Sequence, residues 1–462
     1  MMAFRFALVF ALPVLLQPAA PHGYYAAPAP NGSSAGDGSA TRPWDLPTAL
    51  AGGRGRVQPG DTIWLRGGTY RGAFRSTVAG RVGAPVVIRQ FPGERAVIDG
   101  ASSSKDTWYV GGDYSVFWGF ELTNSNPQRK TESSTAEIRP DVIYNYAAHT
   151  KFIGLIVHDG GVALYTEARF ADVEIADCIF YNNGWQEPGH GHGHAMYVKN
   201  YTGPLVLRDN VAFNQYGYGI HAYTNENSGK LVNITIEGNV SFNNGSLEEH
   251  GGLSPNILLG GDGYASGAAI RDNVTYYSPS LRDIEPNVVV GWKTLRNGDV
   301  VVERNYFAGG SPALQFGYWT AARVANNTFV GGRGARIVRR DPAGRGQIWR
   351  DNAEPGTPTA TKVIVRPSRY QPGRATVVVL NWGKQRSIDV DMRGVLSAGD
   401  RYEVRNVQDL FGVPVVSGTI AASSITIPMG GVPAPVPIGL TTSPAPQTGP
   451  DFDTFIVTRL SP

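Results

Sequence analysis

A short motif recurs through the middle of this chain and limits what the chain can fold into. It reads D-C-I-F-Y-N-N from Asp177, D-N-V-A-F-N-Q from Asp209 and G-N-V-S-F-N-N from Gly238. It returns as D-N-V-T-Y-Y from Asp272, R-N-Y-F-A-G-G from Arg304 and N-N-T-F-V-G-G from Asn326. Its second position is Cys178, Asn210, Asn239, Asn273, Asn305 and Asn327, at intervals of 22–34 residues. Weaker copies lie at Val116–Asn124 and Lys151–Asp159. Units of this size, made of strands and turns, cannot bury an apolar face alone and must stack. An asparagine at each turn tolerates left-handed backbone and bonds its neighbours, so copies on successive coils can form a ladder. The expected fold is all-β, a parallel β-helix.

A second row of segments fits the same plan. A-L-Y-T-E (Ala163), A-M-Y-V-K (Ala195), G-I-H-A-Y (Gly219), N-I-L-L-G (Asn256), N-V-V-V-G (Asn287) and A-L-Q-F-G (Ala313) align without gaps. Side chains two apart share a face of a strand. The apolar pairs, such as Met196/Val198 and Ile220/Ala222, therefore point inward. The outward pairs are Tyr165/Glu167, Tyr197/Lys199 and His221/Tyr223, followed by Leu258/Gly260, Val289/Gly291 and Gln315/Gly317. Polar chemistry is confined to three coils, and the later glycines predict an open floor beside it. On adjacent coils Tyr197, Lys199, His221 and Tyr223 would form a patch roughly 5 Å by 7 Å. Half of the eight histidines (His190, His192, His194 and His221) fall in this stretch.

Elsewhere the chain is turn-rich. It holds 58 glycines and no strong helical period, in keeping with an all-β chain. A net charge of +3 over 462 residues implies no nucleic-acid partner. The single cysteine, Cys178, rules out an internal disulfide and a zinc–thiolate site, and reads as a buried coil residue. Residues 1–22 read as a secretory signal: Arg5, an apolar run over Ala7–Leu16, then Gln-Pro-Ala-Ala. The run is too short to span a bilayer, and no later segment is long enough. Gly23–Trp44 reads as a loop. The β-helix is expected over 23–354 and ends in a linker, E-P-G-T-P-T-A-T from Glu354. Residues 355–462 carry six alternating segments: Lys362–Arg366, Ala375–Asn381, Ser387–Met392, Arg401–Val407, Ser424–Pro428 and Asp453–Thr458. Their spacing predicts a β-sandwich, interrupted by a proline-rich loop, Gly431–Pro450. Its expected role is glycan binding or capping the open end of the helix.

P-G-D-T-I-W-L-R-G-G-T-Y (Pro59–Tyr70), G-A-P-V-V-I-R (Gly83–Arg89) and A-V-I-D-G (Ala96–Gly100) resemble the opening of many secreted members of a known superfamily. This is the right-handed parallel β-helix superfamily of pectate lyases, chondroitinase-B-like lyases and alginate lyases. The Asn-turn repeats are similar to its coils, and the resemblance covers roughly residues 56–350. It implies an extracellular enzyme acting on acidic polysaccharide, mostly by β-elimination. It also implies a lysine base, which Lys199 matches by position, and in several groups calcium held by clustered aspartates. No such cluster stands out in this sequence.

The residues themselves support several site readings. β-Elimination needs a base for the proton α to a uronate carboxylate, an acid for the leaving oxygen, and a cation for the enolate. Lys199, His194 or His221 would supply the base, and Tyr197 or Tyr223 the acid. His190, His192, Glu167, Tyr165, Tyr218 and Trp292 would contact substrate. Trp185, Trp319 and Tyr318 either stack on sugars or pack in the core. If extended, His190, His192 and His194 share one side and could hold a transition metal. Two other readings stay open. One is a glycoside hydrolase using Glu167 and a loop carboxylate, Glu187 or Glu226. The other is a non-catalytic glycan-binding surface protein.

Overall fold

The computed structural model describes residues 21–101, 104–225, 229–249, 254–281, 285–293, 296–332, 334–341 and 346–460. Each coil contributes one short strand to each of three parallel sheets, as the repeat predicts. Sheet I has 12 strands, from Gly23–Ala26 to Gly346–Arg350. Sheet II has 10, from Gly68–Arg71 to Thr328–Val330. Sheet III also has 10, from Phe74–Ser76 to Ile337–Arg339. The inward pairs of sheet III, such as Met196/Val198, Ile220/Ala222 and Val288/Val290, are fully buried in one continuous apolar core. The segment expected as a loop at Gly23–Trp44 instead opens with a strand, Gly23–Ala26, paired with Thr62–Leu65. A single-turn helix, Leu46–Leu50, packs beside Phe74–Ser76 and adds Leu46, Ala49 and Leu50 to the core. Asp45 caps it by accepting from the Thr48 N–H at 2.9 Å.

The asparagine row forms the expected ladder, inside the coil. Cys178, Asn210, Asn239, Asn273, Asn305 and Asn327 are buried. The backbone N–H of each donates to the side-chain Oδ1 of the next, ending on Asn352, at 2.9–3.1 Å. Each amide Nδ2 also donates to a backbone carbonyl of its neighbouring coil, as Asn239 does to Leu207 O at 2.9 Å. One detail differs from the sequence expectation. The left-handed residue is the one before each asparagine: Asp177, Asp209, Gly238, Asp272, Arg304 and Asn326, with φ of 53–69°. The preceding residue takes the turn, so the asparagine points inward and satisfies buried backbone. Cys178 occupies the same site, and burial pushes its thiol up to about 12.

All six expected C-terminal strands are present, and Val416–Thr419 adds a seventh. A five-stranded antiparallel sheet faces a two-stranded one across a core that includes Val377, Val379, Ile388, Val390 and Ile427. This unit does not cap the end of the β-helix. It lies on the outer face of sheet II, where Val378, Leu380, Phe452 and Ile456 pack on Phe213, Phe242, Val274 and Tyr276. From Ile179 and Tyr181 onward the outward side chains of sheet II are mostly apolar, so that part of the face needs a cover. The proline-rich loop reaches further along the helix. Ile438 N–H donates to Asp159 at 2.8 Å, and Arg129 Nε donates to Ile438 O at 2.7 Å. Asp159 belongs to a chain of charges, Arg95–Glu121–His158–Asp159–Arg129, that is buried apart from its exposed Arg95 end. Burial pulls the His158 pKa down, but Asp159 and Glu121 more than offset this and hold it at about 9.

Replacing Asn239 by leucine leaves the Asn210 N–H and the Leu207 carbonyl without their partners in a dry core. The expected loss is about 3 kcal/mol, read as a lower urea midpoint. A shift of less than about 0.5 kcal/mol, as at ordinary surface sites, contradicts the ladder's structural role.

Candidate functional site

Strand pairing turns the outer face of sheet III into ordered rows. Tyr109 pairs with Tyr144, Tyr144 with Tyr165, Tyr165 with Tyr197, and Tyr197 with His221. The series then passes to Leu258, Val289 and Gln315. The three-coil stripe expected from sequence is therefore real, and it extends two coils further back through Tyr144 and Tyr109. Successive ring centroids are 5.9, 4.8, 5.4 and 4.8 Å apart. Two residues on, the next row is Tyr146, Glu167, Lys199 and Tyr223. Just before the strands, a third row holds Asp106, Asp141, Val162, His194 and Tyr218. Backbone bonds set that row, among them Thr107 N to Asp141 O and Ala163 N to His194 O.

Aromatic packing fixes the histidines. His221 is 9% exposed and stacks on Tyr218 at 4.2 Å and 5°. Tyr197 and Tyr223 stack on it at 4.8 and 5.0 Å, and His194 meets its edge at 4.6 Å. Burial holds the His221 pKa well below the usual range, with smaller contributions from His194 and Lys199. His221 Nδ1 is buried with no hydrogen-bond partner among the described residues. Burial also lowers His194, to about 3, assisted by His190 and His192. His194 Nδ1 accepts from Tyr218 N–H at 3.0 Å, so the proton of this neutral ring sits on Nε2. Both imidazoles are thus neutral near pH 7.

Lys199 is half-buried, with Nζ 5.3 Å from the Tyr165 ring and 5.2 Å from the Tyr197 ring. Burial lowers its pKa, and Glu167 opposes that shift. No carboxylate among the described residues lies within ion-pair distance of it. Burial pushes the Tyr197 hydroxyl up to about 12, and Tyr165 upward as well. Tyr223 donates to Asp262 at 3.2 Å, and Asp262 also holds Lys293 at 2.9 Å. Its proton therefore faces Asp262. Glu167 accepts from the Ala168 N–H at 2.9 Å and sits 3.5 Å from the Tyr165 hydroxyl.

Other expected residues lie elsewhere. His190 and His192 are on a hairpin whose strands, Trp185–Glu187 and His190–His192, run antiparallel. Gly193, at φ 101°, turns the chain from that hairpin into sheet III. The three histidines therefore do not share one side: His190 and His192 meet edge to face at 4.6 Å, His192 stacks on Trp185 at 4.2 Å and reaches Glu187 at 3.0 Å, and His194 joins the stripe. Among the described residues no set of three His, Cys, Asp or Glu side chains is arranged to hold a metal ion. Trp319 is fully buried, which makes it a packing residue, whereas Trp185, 6% exposed, lines a cavity beside His192. Trp292 is half-buried just past Val288–Val290, two coils beyond His221. Glu226 lies outside the described residues. The glycine floor is filled, not open. A Cβ on Gly291 would meet Gly317 O at 1.9 Å, and one on Gly317 would meet Arg340 Cβ at 2.7 Å.

Sequence reasoning missed the residues that complete the groove. A cavity of about 370 Å³ is lined by Glu137, Arg139, Asp141, Trp185, His192, His194 and Tyr197. A second, of about 510 Å³, lies further back beside Arg75, Lys105, Asp106 and Tyr109. Burial pushes the Asp141 carboxyl up to about 8, helped by Asp106 and Glu137. T-W-Y-V-G from Thr107 and V-I-Y-N-Y from Val142 obey the same alternation and carried the signal for Tyr109 and Tyr144. A separate cavity of about 380 Å³, lined by Tyr277, Arg336 and Trp382, lies between the β-helix and the C-terminal unit.

Comparison with known proteins gives the same architecture. The chain superposes on the crystal structure of pectate lyase Pel9A with a TM-score of 0.51 and 19% identity, covering 72% of this chain and 80% of that one. It superposes on a rhamnogalacturonan lyase with a TM-score of 0.52 and 17% identity, covering 71% and 87%. The chain has the pectate-lyase-like β-helix fold. In sequence it is 24% identical over 318 residues to pectate lyase L of Thermoclostridium stercorarium. That match covers 53% of this chain, and the chain spans a quarter of the relative's length. No family model matches.

The electrostatics yield a direct expectation. In a histidine side-chain NMR titration, His194 and His221 stay neutral at pH 5, because burial holds both below the ordinary value of about 6.5. A midpoint near that value for either ring contradicts the packing described above.

Proposed function

We propose that this protein is a secreted polysaccharide lyase that cleaves a uronate-containing glycan by β-elimination on the outer face of sheet III. The observation that carries this reading is Lys199: an amine without an ion-pair partner among the described residues, held between two tyrosine rings beside two neutral imidazoles. Burial disfavours its charged form and raises the fraction of free amine. In this reading Lys199 Nζ takes the C5 proton of the uronate. The C5–H electrons form the C4–C5 double bond, and the glycosidic O4 departs. The Tyr197 hydroxyl protonates O4; burial keeps it a phenol until well above neutral pH. His194 Nε2–H donates to the uronate carboxylate and stabilises the charge that develops there. Proton exchange with water resets both groups. The lyases with similar folds and the leader-like residues 1–22 support the assignment.

One observation favours hydrolysis as a second reading. Asp141 lines the same groove, and a carboxyl with a pKa near 8 is protonated at neutral pH, as a general acid must be. It replaces Glu167 as the acid in that scheme, since Glu167 is tied to Ala168 N–H and the Tyr165 hydroxyl. Glu137 or Asp106 would be the second carboxylate.

The test follows ultraviolet absorbance of unsaturated uronates and reducing ends in the same tubes, across acidic polysaccharides. Elimination raises both signals, and hydrolysis raises reducing ends alone. Lys199→Ala and Tyr197→Phe each lower kcat by at least about 100-fold, the usual contribution of a positioned acid or base. Because the free amine is the active form, kcat/KM rises with pH and levels off below about 10.5, the unperturbed lysine value. A rate independent of pH from 5 to 9, or full activity in Lys199→Ala, contradicts the assignment.

A further inference from the structure

The distribution of charge along sheet III limits which acidic glycan can lie there. This argument rests on the reading of that face as the glycan site. From Arg75 to Lys199 the outward row is Arg75, Tyr109, Tyr144, Tyr165 and Tyr197, with Lys199 two residues beyond Tyr197. These are five successive coils, so the two ends lie about 19 Å apart at strand spacing. Cations gather at the ends. Arg75 sits 4.1 Å over the Tyr109 ring and shares the rear cavity with Lys105, and Lys199 stands at the other end.

The stretch between is aromatic and acidic. Tyr109, Tyr144 and Tyr165 are half-buried, with ring centroids 5.9 and 4.8 Å apart along the helix axis. Such rings accept the C–H faces of sugars, and their hydroxyls bond sugar hydroxyls. Burial raises Tyr144 and Tyr165, so both stay neutral. Beside them lie four carboxyls: Asp106, Glu137, Asp141 and Glu167. Burial raises Asp106 and Asp141, and their carboxyl neighbours raise them further: Glu137 for Asp106, and Asp106 with Glu137 for Asp141. Two arginines stand beside this stretch: Arg169 at the rim, 4.4 Å over Tyr146, and Arg139, which lines the cavity but is fully buried and donates to the Asn124 and Asp159 carbonyls. A polymer with a carboxylate on every sugar would set its charges against Glu137 and Glu167, and like charges at close range cost binding, while Asp141, protonated at neutral pH, offers it no countercharge. A chain with charged units only at the two ends of this stretch meets no such conflict.

We propose that the substrate is an acidic heteropolysaccharide whose uronates are separated by neutral sugars. The neutral units lie on Tyr109, Tyr144 and Tyr165, and a uronate lies at Lys199. Homopolymers of uronic acid are poor ligands for this face.

The test is native affinity electrophoresis of the full chain through gels containing one polysaccharide at a time. Deacylated gellan, with one uronate in four sugars, represents the proposed class; polygalacturonate and alginate represent homopolyuronates. Gellan retains the protein at least tenfold more strongly than either homopolymer. Tyr144→Ala loses about tenfold of that retention, while Tyr144→Phe keeps most of it. The double variant Glu137→Gln, Glu167→Gln binds homopolyuronates more tightly than the wild type. Equal or stronger retention by polygalacturonate or alginate overturns the proposal, as does no retention by gellan. Absorbance of unsaturated product, followed on the same polymers, tests the lyase reading separately. Retention by gellan without absorbance upholds the ligand class and removes elimination.

Discussion

The fold depends on one constraint: every coil must satisfy the buried polar groups of the coil beside it. A coil of roughly 30 residues has three short strands and three corners, and its corners carry backbone N–H groups that no strand pairs. The ladder from Cys178 to Asn352 answers this at one corner, each asparagine accepting from the N–H of its neighbour. A second set, including Asn183, Gln215, Asn244, Asn256 and Asn287, does similar work at another corner. Because the ladders fix register, they also fix which outward residues stand side by side. A slip of one residue would turn Tyr197 and His221 into the core.

The chemistry of the candidate site follows from that register. Tyr197 stands on His221 because parallel pairing stacks equivalent positions at strand spacing, and Tyr218 and Tyr223 flank the ring from its own coil. The same packing removes water from the imidazoles and holds them neutral, which leaves Lys199 as the cation of the patch. The neighbouring sheet is specialised differently. From Ile179 onward sheet II has a mostly apolar outer face and gives it to the C-terminal unit, whereas sheet III keeps a polar, aromatic face along its tyrosine row. The proline-rich loop extends that cover to Asp159, beside the corner where Arg129 donates to the carbonyls of Asn182 and Gly184.

Much of this was legible in the sequence, for a physical reason. Alternation and the repeated asparagine are one-dimensional signals, and the six aligned segments from Ala163 to Ala313 pair in the register read from them. The limits are equally physical. Tyr109 and Tyr144 obey the same alternation, but their coils lack the asparagine motif. Asp141, Glu137 and Arg139 enter the groove from a corner, where no period reports side-chain direction. His190 and His192 alternate with His194, yet an antiparallel hairpin and the turn at Gly193 separate them. Glycines that looked like open space are close contacts between coils, since sequence shows a missing side chain but not what fills its place.

The central claim is that the exposed face of sheet III, centred on Lys199 and the tyrosine row, carries the glycan. A crystal structure of the Lys199→Ala variant soaked with an acidic heteropolysaccharide fragment tests it most directly. The account predicts a chain running parallel to the helix axis over Tyr109, Tyr144 and Tyr165, with a uronate carboxylate near the vacated amine and His194 Nε2. Sugar bound instead in the cavity beside Trp382 and Arg336, with sheet III bare, would contradict it.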